Sequence, residues 1–155
     1  MAEWSPPRIY FDANPFMYAV EGSFEIAEPV LELLEAIRSK PGIGVTSELV
    51  LGELLAPIRR PDATPAPLRK RIYMGLLIHD RSFDLRPVSR DIIIETSKLR
   101  THMNLKLPDA IQLVTAIHAE CRYFMSNDRA MSKGPAGLQR VRPDAEGIAN
   151  LLQNI

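Results

Sequence analysis

The sequence of 155 residues has few of the features that would place it in several large classes of protein. Its one cysteine, Cys121, cannot form an internal disulfide, which favours a reducing compartment. Its most apolar stretch, residues 49–58, is too short to cross a bilayer. Residues 1–7 have neither the positive charge nor the apolar run of a signal peptide. We therefore expect one soluble, cytoplasmic domain over residues 1–155, with residues 1–7 as a flexible tail.

An excess of one charge is also missing, because Lys plus Arg and Asp plus Glu each number 19. Any attraction to nucleic acid or anionic lipid must then come from local clusters. The histidines at positions 79, 102 and 118 lack the spacing of paired zinc ligands, which disfavours a zinc site. No Gly-x-x-x-x-Gly-Lys element is present, which disfavours an NTPase.

The sequence does contain short apolar runs that alternate with amphipathic segments. Strands are predicted at residues 9–11, 43–46, 83–88, 123–125 and 139–142. Helices are predicted at residues 14–20, 26–39, 47–56 and 68–79, then one capped by Ser89, one opened by Pro108, and one at 144–153. The proline-rich residues 57–67 are predicted to be a loop. Parallel strands need such crossovers, so we expect an α/β fold with a mainly parallel sheet and helices on both faces.

Four acidic residues stand where predicted strands give way to helices: Asp12, Glu53, Asp109 and Asp128. Ligands of parallel sheets bind beyond the carboxyl ends of the strands, so these side chains are expected to share one crevice. Like charges in one crevice repel each other unless a hard cation binds them. The pattern therefore predicts a metal-dependent phosphodiesterase.

Each acid also has a purely structural explanation. Asp12 could cap a helix, although Asn14 followed by a proline already suits that task. Asp109 would interact favourably with a helix dipole, and Asp128 would suit a turn. Only a shared location for all four acids would favour the functional reading.

Glu53 lies within an apolar arc of its predicted helix, which suggests that the helix is buried. A buried carboxylate needs a cation or a hydrogen-bond donor, and a core arginine is the structural alternative to a metal. Gly52 beside it weakens the helix, which suggests a close approach of another backbone.

A phosphatase with Asp12 as its nucleophile is disfavoured, because the haloacid dehalogenase motif needs a second Asp where this chain has Asn14. Basic residues surround the proline-rich loop, and they either contact the phosphates of a nucleic acid or form a solvated cluster. These are Arg59, Arg60, Arg69, Lys70 and Arg71.

Four motifs together make the chain resemble the PIN-domain ribonucleases, especially the VapC-type toxins of toxin–antitoxin pairs. The first two motifs are Ile9-Tyr-Phe-Asp-Ala-Asn-Pro-Phe-Met-Tyr and Thr46-Ser-Glu-Leu-Val-Leu-Gly-Glu-Leu. The others are Leu107-Pro-Asp-Ala-Ile-Gln-Leu-Val-Thr-Ala and Phe124-Met-Ser-Asn-Asp, and all four occur in the family's order. The resemblance spans roughly residues 8–142.

The resemblance implies a three-layer α/β/α sandwich with about five strands and an endoribonuclease activity. It implies that Asp12, Glu53, Asp109 and Asp128 are catalytic and hold Mg²⁺ or Mn²⁺. Asn14 and Ser126 would support the ligands or position the substrate; the family often has Thr where this chain has Ser126. The implied partners are an RNA substrate, a cognate antitoxin and a second copy of the chain, with no membrane. The alternative is a PIN-like module that binds RNA or protein without turnover.

Overall fold

The computed structural model describes residues 5–133 and 137–155, except for the side chains of residues 132 and 133. The predicted tail therefore lies partly outside the described residues, since residues 1–4 are not among them. The described chain contains a five-stranded sheet in which every pair of neighbouring strands is parallel. This confirms the predicted α/β class and the predicted number of strands.

The strands have the order β3-β2-β1-β4-β5 in the sheet. Their bounds are β1 Ile9–Phe11, β2 Gly44–Ser47, β3 Phe83–Arg86, β4 Tyr123–Met125 and β5 Gln139–Val141. The helices are α1 Ala13–Glu21, α2 Phe24–Ser39, α3 Glu48–Leu54, α4 Ala66–Met74, α5 Arg90–His102, α6 Leu107–His118 and α7 Ala145–Leu152. A π-helical segment, Gly75–His79, follows α4, and a 3-10 segment, Arg129–Lys133, precedes β5.

The alternation of side chains along β1 explains the layers. Ile9 and Phe11 belong to the core formed with α1, α2, α3 and α7 on one face of the sheet. Tyr10 belongs to the opposite core, beneath α6. Successive residues of a strand point to opposite faces, and both faces are buried here, as parallel sheets require. The result is the three-layer sandwich that the family resemblance implied.

The helix predicted at residues 68–79 is two elements rather than one. Helix α4 begins at Ala66, inside the segment predicted to be a loop, with Pro67 in the first turn, where a proline is tolerated. It gives way to the π-helical segment, which ends with a hydrogen bond from Asp80 N to Gly75 O at 2.8 Å. Helix α2 begins at Phe24, two residues before the predicted start.

Cys121 lies between α6 and β4, next to the core that includes Tyr10 and Phe124. Its side chain is buried, and this burial raises the pKa of the thiol to about 12. The thiolate is the reactive form, so this cysteine is chemically inert at neutral pH.

Candidate active site

The order of the strands reverses between β1 and β4. The chain leaves β1 toward β2 and β3 on one side, and then returns to β4 on the other side of β1. Such a switch point leaves a crevice beyond the carboxyl ends of the two strands. Asp12 directly follows β1 and Ser126 directly follows β4, so both side chains begin at this crevice.

Asp12 is the N-cap of α1, which corrects the expectation that Asn14 fills this role. Its backbone is extended, and its Oδ1 accepts a hydrogen bond from Asn14 N at 3.0 Å. Asn14 cannot be the cap, because it already lies within the first turn of the helix. Asp12 therefore has a structural task as well as its place in the crevice.

Ser126 connects the turn after β4 to Asp12. The side chain is fully buried, and its Oγ accepts a hydrogen bond from Asp128 N at 3.0 Å. A hydrogen bond from the same hydroxyl lowers the pKa of Asp12. The amide of Asn127 donates to the hydroxyl of Tyr18 on α1 at 3.0 Å. The turn is thus tied both to the carboxylate and to the first helix.

Burial is the main cause of an unusually high pKa at Asp12. The residue is 7% exposed, and its pKa is raised from 3.8 to about 7, with desolvation as the largest cause. Hydrogen bonds from Ser126 and Asn14 lower it, whereas the charges of Glu53 and Asp128 raise it further. A carboxyl group of this kind is poised to change its protonation state near neutral pH.

The other carboxylates interact with one another in the same way. Burial, followed by the charge of Asp109, raises the pKa of Glu53. Burial, followed by the charge of Asp128, raises the pKa of Asp109, and Lys106 lowers it. Asp12 is therefore close enough to Glu53 and Asp128 to feel their charges, Glu53 to feel that of Asp109, and Asp109 to feel that of Asp128.

Glu53 is less buried than the sequence suggested. Its side chain is half-buried, and α3 is not surrounded by protein. Gly52 is exposed, and a Cβ at that position would meet no atom within 4 Å, so the expected close approach of another backbone is wrong. No arginine of the described residues pairs with Glu53, which leaves its charge uncompensated.

Tyr10 adds a polar group that the sequence analysis did not single out. Its ring stacks on Phe124 with centroids 4.8 Å apart, and its hydroxyl is buried without a hydrogen bond of ordinary geometry. Burial raises the pKa of Tyr10 well above its usual value, the charges of Asp12 and Glu53 raise it further, and Ser47 lowers it. The alternation of a strand could have indicated this, because Tyr10 precedes Asp12 by two positions.

The donor set suits a hard divalent cation, but the carboxylates do not form a closed cage. Within residues 5–133 and 137–155, no group of three or more Asp, Glu, His or Cys side chains is close enough to hold one ion. Mg²⁺ is often held by one or two carboxylates and keeps several waters. Carboxylate oxygens such as those of Asp12 and Glu53 are the donors that an ion of this kind prefers.

The basic residues near the proline-rich loop divide into two groups. Arg69 is 4% exposed, and it donates to Thr64 O and Ala56 O at 3.2 Å each. It holds the loop from within and is not available to a phosphate, contrary to the sequence prediction. Arg60 is exposed, with its Nη2 3.8 Å from Oε2 of Glu21. The three remaining side chains are exposed: Arg59, Lys70 and Arg71.

The family model of the PIN domain matches residues 9–136. The chain belongs to the PIN domain family. The resemblance to the PIN-domain family is therefore confirmed, and so is the fold that it implied. No curated protein gives a significant match. Among the described residues, no helix is both long and apolar enough to cross a membrane.

Several solved structures resemble the chain over most of its length. A toxin–antitoxin complex from Klebsiella pneumoniae has a chain that is 25% identical, with a TM-score of 0.61 over 84% of this chain and 94% of that one. VapBC2 from Rickettsia felis, bound to a promoter DNA fragment, is 17% identical, with a TM-score of 0.60 over 86% and 98%. VapC20 from Mycobacterium tuberculosis, a toxin that cleaves the sarcin–ricin loop, is 14% identical, with a TM-score of 0.61 over 82% and 96%.

Proposed function

We propose that this PIN-domain protein is an Mg²⁺- or Mn²⁺-dependent endoribonuclease and the toxin of a type II toxin–antitoxin pair. The observation that carries the proposal is the position of Asp12 where the strand order reverses, together with the pairwise charge effects that link it to Glu53 and Asp128, and these in turn to Asp109. Like charges brought together at a ligand-binding edge, with raised pKa values, mark a functional site. The similarity to chains from toxin–antitoxin complexes supports the same activity.

The four carboxylates would hold the cation through direct contacts and through its waters. When bound, Mg²⁺ or Mn²⁺ neutralises charge on the phosphate and makes water a better nucleophile. Its presence would also offset the burial and the mutual repulsion that raise the pKa values of Asp12, Glu53 and Asp109.

The remaining groups of the crevice would position the reactants. Asp109 or Asp128 orients the attacking water, because both are more accessible than Asp12. Ser126 holds Asp12 and the turn that carries Asp128. Asn14 lies in the first turn of α1 beside the crevice, where its amide can position the substrate.

An acidic crevice repels RNA, so exposed cations elsewhere must guide the phosphate backbone. We assign this task to Arg59, Arg60, Lys70 and Arg71, which lie on or after the loop that follows α3. Arg69 is left out because it is buried. The partners proposed with this activity are a cognate antitoxin and a second copy of the chain, on the similarity to toxin–antitoxin complexes.

Cleavage of a structured RNA by the purified protein tests the proposal. We expect cleavage with Mg²⁺ or Mn²⁺ and none in chelator, measured on a gel with an end-labelled RNA. Glu53→Gln removes a charge that no arginine compensates and should lower the rate at least about 100-fold, in the range expected for removing a group that acts on the transition state.

Glu48→Gln is the matched control, because Glu48 is an exposed acid on the same helix. It should cleave RNA at the wild-type rate. Cleavage that continues in chelator would contradict the metal dependence. Binding of RNA without cleavage in any divalent metal would instead identify a non-catalytic PIN-like binding module.

A further inference from the structure

Arg140 reaches the crevice from the outermost strand of the sheet. It lies on β5 opposite Phe124 of β4, and its Nε donates to Ser126 O at 3.1 Å. The side chain is partly buried and runs along the sheet toward the carboxyl end of β4. No residue of the sequence motifs predicts this contact, because the two residues are 14 positions apart.

The residue that Arg140 contacts, Ser126, interacts with both Asp12 and the turn that carries Asp128. Ser126 N donates to Val141 O at 3.1 Å, and its Oγ accepts from Asp128 N. The Ser126 hydroxyl also bonds to the carboxylate of Asp12. Backbone and side chain of Ser126 are thus both engaged, and Arg140 supplies the one side-chain donor to its carbonyl among the described residues.

We propose that Arg140 is a positioning residue for the proposed cleavage reaction, acting through the Ser126 carbonyl on the turn that carries Asp128. This inference rests on the proposed function, because the turn matters only if Asp12 and Asp128 act on RNA. The donor rather than the charge of Arg140 is the essential property, since the contact runs from Nε to a neutral carbonyl.

Two substitutions separate the donor from the charge. Arg140→Gln places an amide nitrogen as far along the side chain as Nε and can keep the bond to Ser126 O without a charge. The methionine of Arg140→Met has a side chain nearly as long as that glutamine, but it has no hydrogen-bond donor. Arg142→Met is the matched control, because Arg142 is exposed and its Nε pairs with Asp144 at 3.1 Å instead.

We expect Arg140→Met to lower kcat about tenfold with little change in KM, which is the size of effect that one lost hydrogen bond in a positioned site produces. Arg140→Gln and Arg142→Met should stay within about twofold of wild type. Amide hydrogen exchange at Asp128 should accelerate about tenfold in Arg140→Met alone, because its acceptor, Ser126 Oγ, is no longer held. Mn²⁺ affinity, measured by calorimetry, should weaken in the same variant.

Hydrogen exchange and calorimetry need no nuclease activity, so they test the positioning role even if no RNA is cut. Unchanged exchange in a folded Arg140→Met protein would overturn the role. Equal loss of activity in Arg140→Gln and Arg140→Met, with a raised KM and a shallower salt dependence, would also overturn it and identify a charge that binds RNA. A thermal melt of each variant establishes that it is folded.

Discussion

The charged side chains are arranged in opposite ways at the two edges of the sheet, where the strands begin and where they end. At the amino-terminal edge, Arg8 pairs with Asp84 and donates to Gly42 O at 3.1 Å and to Ala119 O at 2.8 Å. At the carboxyl-terminal edge, Asp12 and Glu53 face further carboxylates, and each raises the pKa of a neighbour. Paired charges stabilise a fold, whereas gathered like charges oppose it and remain only where they serve a ligand.

Helix α6 connects the two edges, and its ends show the same contrast. Ala119 O, at its carboxyl end, accepts from the cation of Arg8, in agreement with the helix dipole. Asp109, in its first turn, is also favoured by the dipole but is opposed by Asp128. One end of the helix is therefore electrostatically satisfied, whereas at the other end Asp109 lies close to a like charge.

The largest expected effect on stability is the pH dependence that Asp12 produces, and this effect tests the comparison between the two edges. The pKa of Asp12 is about 7 in the folded protein and is ordinarily 3.8. Between these values the folded state holds a proton that the unfolded state has released, so stability falls as pH rises from about 4 to about 7. The full contribution is at most about 4 kcal/mol. Urea unfolding in chelator should show this decline relative to Asp12→Asn, whose amide keeps the cap but does not titrate.

Mg²⁺ added at pH 8 should restore part of this stability to the wild-type protein and not to Asp12→Asn. Parallel pH curves for the two proteins would show that the acidic edge carries no electrostatic strain. The comparison between the two edges would then fail.

Removal of Arg8 should have the next largest effect. Arg8→Met leaves Asp84, Gly42 O and Ala119 O without this donor, and should lower the free energy of unfolding by about 2 to 3 kcal/mol. Arg86→Met is the control, because among the described residues the side chain of Arg86 forms a salt bridge with Asp84 alone, at 2.9 Å, and its loss should cost about 0.5 kcal/mol. Urea unfolding measures both, and equal losses would show that the carbonyl contacts of Arg8 contribute nothing.

The smallest expected effect on stability is a difference between variants of two acidic residues, each in the first turn of its helix. Asp91→Asn on α5 loses a favourable dipole interaction and should cost a few tenths of a kcal/mol. Asp109→Asn loses the same interaction but also the repulsion from Asp128, so in chelator it should be neutral or slightly stabilising. Thermal melts of the two variants check this, and a larger loss at Asp109 than at Asp91 would contradict it.

The sequence predicted the strands well, because they depend on local patterns. Apolar runs bounded by turn residues located β1 and β4, and an acid directly after a strand located Asp12. The motif order then identified the family, which the match over residues 9–136 confirmed.

The errors concern properties that depend on distant residues. Whether Asp12 or Asn14 caps α1 depends on where the strand ends, and the helix begins one residue earlier than the proline suggested. The exposure of Gly52 and the burial of Arg69 depend on what packs against α3 and α4. The contact from Arg140 to Ser126 requires that β4 and β5 be neighbours, which no local pattern contains.

The burial of Cys121 has a practical consequence for experiments on this protein. Its thiol is the only one in the chain, and with a pKa of about 12 it should react with maleimides far more slowly than a surface cysteine. A cysteine introduced at an exposed position, such as Gly52, could therefore carry a fluorophore or a spin label without removal of the native residue. Probes at chosen points would then report distances across the crevice in an otherwise unaltered chain.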